Sequence, residues 1–128
     1  MGADFIREAF KDFPDPGSVV QHYLPNALPE NGVSVRYQTY SSIGDMLLLC
    51  PGVYHAEKCT EKRGKVYYYL FTHRPSNSPF APCMGEVHFD EVQFVFGSPL
   101  LYPFSYTQEE QLISQQMIEI WSSFTKGG

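Results

Sequence analysis

Positive charge is nowhere concentrated in this sequence. Nine Lys and Arg stand against fourteen Asp and Glu, giving a net charge of −5 and a pI near 5.2. The densest basic stretch, Lys62-Arg63-Gly64-Lys65, suits a helix C-terminus, where cations complement the dipole. Nucleic acid and anionic membrane are therefore poor electrostatic matches as partners. Long apolar runs are missing too. Met46 to Cys50 is the longest local candidate and falls far short of a bilayer span, so no membrane insertion by this segment is expected. Met1-Gly2-Ala3-Asp4 leads into mixed charge and aromatics rather than the apolar stretch of a signal peptide. Ile6 stands where a myristoylation signal needs Ser or Thr, and Asn77-Ser78-Pro79 is no glycosylation sequon.

Cysteine is scarce and odd in number: Cys50, Cys59 and Cys83. There is no Cys-x-x-Cys and no histidine pair at helical spacing, so neither a metal site nor a cofactor is expected. On one helix Cys50 and Cys59 would lie ~13 Å apart along the axis. A disulfide tolerates roughly 7 Å between Cα atoms. Either all three are buried thiols, or one has a partner elsewhere. What the chain does hold is apolar and aromatic: 43% hydrophobic and 16% aromatic residues, including nine Tyr and ten Phe. At 128 residues it has the size of one domain, and this composition argues against disorder.

Turn residues punctuate the N-terminal third. Asp4 is placed to cap a short helix through Phe10, ended by Phe13-Pro14-Asp15-Pro16-Gly17. Ser18 is placed to cap a second helix through Leu24, stopped by Pro25. Pro29-Glu30-Asn31-Gly32 is a turn cluster, with a weak hairpin signal at Asn31-Gly32. Asp45 reads as the N-cap of a helix to about Arg63, with Met46, Leu49, Val53 and Ala56 on one face, Gly64 at C′ and Pro51 kinking its start. Val66-Tyr67-Tyr68-Tyr69-Leu70-Phe71 reads as a strand buried on both faces. Helix, glycine turn and strand make the second half of a βαβ unit. His73 to Met84, with Pro75, Pro79 and Pro82, must be an irregular loop, and Val87 to Gly97 is ambiguous between strand and short helix. The last element is the clearest. Thr107 and Glu110 form a capping box, and Ile113, Met117, Ile120, Trp121 and Phe124 share one helical face closed by Gly127. A two-faced strand needs parallel neighbours and covering helices, and this chain offers one convincing strand. It reads as a piece of something larger.

His88 is the sharpest candidate for chemistry. A lone loop histidine is ordinarily just hydrogen-bonded, but here the flanking residues are informative. Met84-Gly85-Glu86-Val87-His88-Phe89-Asp90-Glu91-Val92-Gln93-Phe94-Val95-Phe96-Gly97 resembles the catalytic-histidine segment of the carboxylesterase and cholinesterase family, which reads Met-Gly, two residues, His, then Glu and Phe-x-Phe-Gly. Tyr69 to Ser76 is similar to that family's strand followed by His-Arg-Ala-Ser, and Pro82-Cys83-Met84-Gly85 to its Pro-x-Trp-Met-Gly loop. Phe94 to Leu100 is similar to Phe-Val-Phe-Gly-x-Pro-Leu, and Tyr106 to Glu110 with Trp121, Phe124, Lys126 and Gly127 resembles its penultimate helix. The similarity is strong over 45–128 and weak over 1–44, and residues 1–128 are read as the C-terminal portion of one carboxylesterase-type domain.

The resemblance implies an α/β class: the C-terminal part of an α/β-hydrolase fold, mostly helices and loops around one or two strands of an incomplete sheet. It implies a serine carboxylic-ester hydrolase in which His88 is the general base of a Ser-His-Glu triad. An imidazole, with an ordinary pKa of about 6.5, suits a proton that must be taken and returned. Phe80 and Cys83 fall on the substrate-pocket loop, Glu91, Met84 and Gly85 on structural positions near the site, and Cys50 on a cysteine paired outside this chain. Pairing of Cys59 and Cys83 is left open. His73 and Arg74 match positions expected to pack or form ion pairs. The implied partners are a small ester substrate and the missing N-terminal part of the same domain, in a secreted or secretory-pathway protein.

Departures from the family pattern are as informative. The nucleophile elbow Gly-x-Ser-x-Gly is absent, and Ser41-Ser42-Ile43-Gly44 lacks its first glycine. The oxyanion-hole Gly-Gly segment is missing. Gly2-Ala3-Asp4-Phe5 resembles the start of the segment after the triad glutamate, so Met1 stands where the acid would be. Phe80 and Cys83 replace tryptophans, and Phe89-Asp90 replaces Gly-aromatic, which argues for a general carboxylesterase over choline binding through cation–π contact. The chain alone is therefore expected to be inactive. The alternative is a catalytically silent, cholinesterase-like adhesion domain.

Overall fold

The computed structural model describes residues 2–25 and 32–127. The chain divides into two units, Met1–Tyr68 with Pro82–Met84, and Tyr69–Ala81 with Gly85–Gly128.

In the first unit, α1 (Gly2–Ala9) and α2 (Pro16–Tyr23) pack on each other and on α3 (Gly32–Gly44). Ile6, Phe10 and Leu24 form its buried core, with Val19, Val20, Val35, Ile43 and Met46 against it. Gly2 lets α1 approach α3: a Cβ there would meet Val35 Cγ1 at 2.7 Å. The cap of α2 is Asp15 rather than Ser18. Asp15 Oδ1 accepts from the Ser18 amide at 3.1 Å, and Pro16, with no N–H to satisfy, opens the helix.

The expected helix start at Asp45 is corrected. α3 runs without a break into a π-helical turn, Asp45–Leu49, and on into α4 (Cys50–Glu61). The Cys50 amide bonds back to the Asp45 carbonyl, five residues away. This widening solves the proline problem, because Pro51 lacks a donor and its ring would crowd the carbonyl of Leu47 in a regular helix. Asp45 takes up a different task. Tyr23 donates to Asp45 Oδ2 at 2.6 Å and so ties α2 to the π turn. Burial and the neighbouring carboxylate push the Tyr23 phenol above its usual range.

The end of α4 is a Schellman motif. Gly64 N donates to Cys59 O at 3.0 Å and Arg63 N to Thr60 O at 2.8 Å. The left-handed residue is Arg63, with φ of 64°, so Gly64 is at C″ and not at C′. Gly64 serves close approach instead, since a Cβ there would lie 3.0 Å from the Cys59 carbonyl.

Val66 to Phe71 is not a paired strand. The described residues contain no strand, and Tyr67 and Leu70 are 66% and 62% exposed. A strand exists through its ladder, and no ladder forms along this stretch among the described residues. The sheet expected for an α/β class is thus absent among the described residues. The expected turn at Pro29–Asn31 lies outside them, and Gly32 begins α3.

The second unit is built on α7 (Gln108–Gly127), with α5 (Val92–Val95) and α6 (Ser98–Leu101) packed along it. Short helices resolve the ambiguity of 87–97. Gly97, at φ 77°, turns α5 into α6 in a conformation that costs glycine little. Phe94 is fully buried, its ring against Phe71, His73 and Tyr106 at 5.2, 5.5 and 6.4 Å. Burying such a side chain stabilises by about 2–3 kcal/mol. Ser114 Oγ donates to the Phe94 carbonyl at 2.8 Å, which locks α5 to α7. Gly127 is the last residue of α7. Among the described residues no helix is long and apolar enough to cross a membrane.

Candidate functional site

His88 sits in a four-residue turn. Asp90 N donates to Val87 O at 3.1 Å, and Asp90 Oδ2 accepts in return from Val87 N at 2.9 Å. Asp90 is buried. A carboxylate that takes its own turn's first amide makes the turn rigid. Phe89, the third residue, has φ of 75°. His88 keeps a negative φ, so the turn is of the type II kind, whose third position favours glycine. A bulky residue held there costs roughly 1–3 kcal/mol. The Phe89 ring lies 4.2 Å from the imidazole centroid, tilted by 49°. His88 itself is exposed and has no hydrogen-bond partner among the described residues.

The loop leading to this turn is held by two charged side chains. Arg74 donates through Nη1 to Ser78 Oγ (3.0 Å) and Gly85 O (3.1 Å), and through Nη2 to Phe80 O (2.7 Å). One guanidinium therefore fixes the middle and the far end of the proline-rich segment, using its rigid fork of donors. Glu110 fixes the beginning. Its Oε2 accepts from Thr107 N (2.7 Å) and Thr107 Oγ1 accepts from Glu110 N (3.2 Å), the expected capping box. The same carboxylate also accepts from Ser76 N (2.6 Å), Ser76 Oγ (2.7 Å) and His73 Nε2 (3.3 Å). Burial alone would push the Glu110 pKa up. The bonds from Ser76, Thr107 and His73 outweigh it and hold the group down to about 2. Buried Pro75 completes the anchor.

The expected site residues fall as follows. Gly85 is buried with φ of 65°, and its carbonyl is one of the groups that Arg74 holds. Phe80 is anchored through its carbonyl while its side chain is exposed. Glu91 is half-buried just before α5 and makes no capping bond. Cys83 and Met84 are half-buried in a 3-10 turn, Pro82–Met84, of the first unit. Cys50 is a free, exposed thiol on α4, and Cys59 and Cys83 are free as well. Ser42 is buried inside α3 with its hydroxyl donated to Thr39 O at 2.8 Å, a packed residue with no nucleophilic role. Met1 lies outside the described residues. Among the described residues no three of His, Cys, Asp and Glu gather into a metal-holding group.

An apolar groove of about 290 Å³ lies in the second unit, between Phe71, His73, Met117 and Ile120, and does not include His88. Sequence reasoning missed the second role of Glu110 and the threefold bond of Arg74. The capping signature at Thr107 was the one signal that pointed to Glu110.

A profile of the carboxylesterase family matches residues 16–128. The chain is 37% identical over 124 residues to acetylcholinesterase-1 of Trittame loki, covering 94% of this chain and 22% of that protein. It is 41% identical over 131 aligned positions to the acetylcholinesterase of Bungarus fasciatus, covering 98% and 22%. Against the acetylcholinesterase of Gallus gallus the figures are 36% over 111 residues, 87% and 14%. The chain thus spans about a fifth or less of the length of these relatives, with its own length almost wholly matched. A family profile matching residues 16–128, together with relatives 36–41% identical over nearly the whole chain, means that the chain belongs to the carboxylesterase family.

Proposed function

We propose that this chain is the C-terminal portion of a serine carboxylic-ester hydrolase and supplies its catalytic histidine, His88. The observation that carries the reading is the mismatch at residues 87–90. The backbone is fixed by Asp90 and Arg74, yet the imidazole it presents is exposed and unbonded among the described residues. Fixing a backbone to leave a side chain free suits a group that must meet partners from elsewhere. Those partners are a serine and a carboxylate in the rest of the domain.

In the complete protein His88 takes the proton of that serine as its oxygen attacks the ester carbonyl. It then gives the proton to the leaving alcohol, and repeats the cycle with water to release the acid. Phe80 and Cys83 line the pocket, and Glu91, Met84 and Gly85 shape the loop around the histidine. Cys50 pairs with a cysteine outside this chain, in keeping with a secreted or secretory-pathway protein. The relatives are named for acetylcholine hydrolysis. For this chain the substrate class is carboxylic esters in general.

His88→Ala in the complete protein should lower kcat at least a thousandfold with thermal stability kept, because a triad acts as a unit. The isolated chain should show no turnover above background. Turnover that survives His88→Ala would refute the assignment. A complete protein with no serine at the nucleophile position would favour the silent adhesion reading instead.

A further inference from the structure

We infer that Phe89 is a specificity-determining residue that forms an apolar wall for the alcohol portion of the ester. The inference rests on His88 acting as the proton carrier proposed above. It starts from a conflict between sequence and backbone. Residue 89 occupies the turn position that favours glycine, at φ of 75°, and the chain places there a large aromatic that is 66% exposed. Turn stability does not explain that choice, since glycine would adopt the same angle without strain. Packing among the described residues does not explain it either, since the ring is largely outside their core. The aromatic contact the ring makes is with the His88 imidazole, 4.2 Å away between centroids. The turn meanwhile holds its shape through Asp90 and Val87, so the strain is tolerated rather than relaxed. The ring is thereby presented beside the histidine.

Chemistry then says what lies next to it. The proton carried by His88 passes to the oxygen of the leaving alcohol, so the alcohol carbon chain lies on the histidine side of the scissile bond. An aromatic ring tilted against that imidazole is apolar surface at the alcohol end. It favours esters whose alcohol is branched and uncharged over methyl esters, to which it offers almost no contact.

The test measures kcat/KM of the complete protein for methyl acetate, 3,3-dimethylbutyl acetate, and the isosteric ester whose quaternary carbon is a trimethylammonium nitrogen. Hydrophobic contact of this size is worth about 10- to 200-fold in discrimination. In Phe89→Gly the ratio of dimethylbutyl to methyl ester should fall at least tenfold, while the unfolding temperature stays level or rises. Phe89→Leu, which keeps apolar bulk, should recover part of the ratio. A ratio within twofold of wild type in both variants overturns the proposal. So does a loss confined to the trimethylammonium ester, which would mean cation recognition by the ring. Wild-type turnover that survives His88→Ala sinks the histidine reading independently, whatever the ester ratio does.

Discussion

Glu110 shows how much one side chain can carry without belonging to a reaction. Its carboxylate caps α7 and, through Ser76 and His73, pins the start of the loop that leads to His88. The pKa direction sets the sign of a pH effect. The folded group titrates near 2 against an ordinary 4.5, so its stabilisation is fully present above 4.5 and disappears as pH falls toward 2. Hydrogen bonds that hold a buried carboxylate this far down are worth on the order of 2–3 kcal/mol. Wild-type protein should therefore lose unfolding free energy between pH 5 and pH 3, by denaturant titration. Glu110→Gln should be weaker at pH 7 by a similar amount and show a flatter profile over that range. Half of this role was legible in the sequence. Thr107 and Glu110 are three residues apart and announce a cap, whereas Ser76 lies 34 residues from Glu110 and leaves no local trace.

At the scale of elements, sequence pattern works where a single rule governs and fails where two compete. The helix 108–127 obeys periodicity and capping together, so it was readable. Gly32–Gly44 carries no helix signal in sequence, because Val33, Val35, Tyr37, Thr39 and Tyr40 give it no apolar stripe and several β-branched residues. Asp45 looked like a beginning because it precedes an apolar run, and the π turn that absorbs Pro51 has no compositional mark. The sequence puts the end of α4 at about Arg63, two residues past its actual end at Glu61, and exchanges the cap roles by one residue. That exchange has a consequence for stability. Arg63→Gly should stabilise by about 1 kcal/mol by removing a left-handed side chain, and Gly64→Ala should destabilise by about 1–2 kcal/mol by pressing a methyl group on the Cys59 carbonyl. Unfolding midpoints of the two variants moving in the same direction would contradict the assignment of C′ to Arg63.

For the molecule as a whole, the sequence reading that the chain is one part of a larger domain came from its single strand-like segment. That segment has no ladder among the described residues. Its β-branched and aromatic composition was legible, but pairing is a property of neighbours and cannot be written into one segment. Hydrogen exchange separates the two situations. In the isolated chain the amides of Val66 to Leu70 should exchange at nearly unprotected rates, and in the complete protein they should be among the slow ones. Slow exchange in the isolated chain would mean that it completes a sheet unaided.

Val66 to Phe71 also carries a hazard. Six consecutive residues without charge, proline or glycine, rich in tyrosine and with Tyr67 to Leu70 exposed, have the composition from which amyloid spines assemble. Set free in a cell or a test tube, this polypeptide would stick to copies of itself or be bound by chaperones. Glu57, Lys58 and Glu61 of α4, with Lys62, Arg63 and Lys65 just before the run, would be its principal gatekeepers against precipitation.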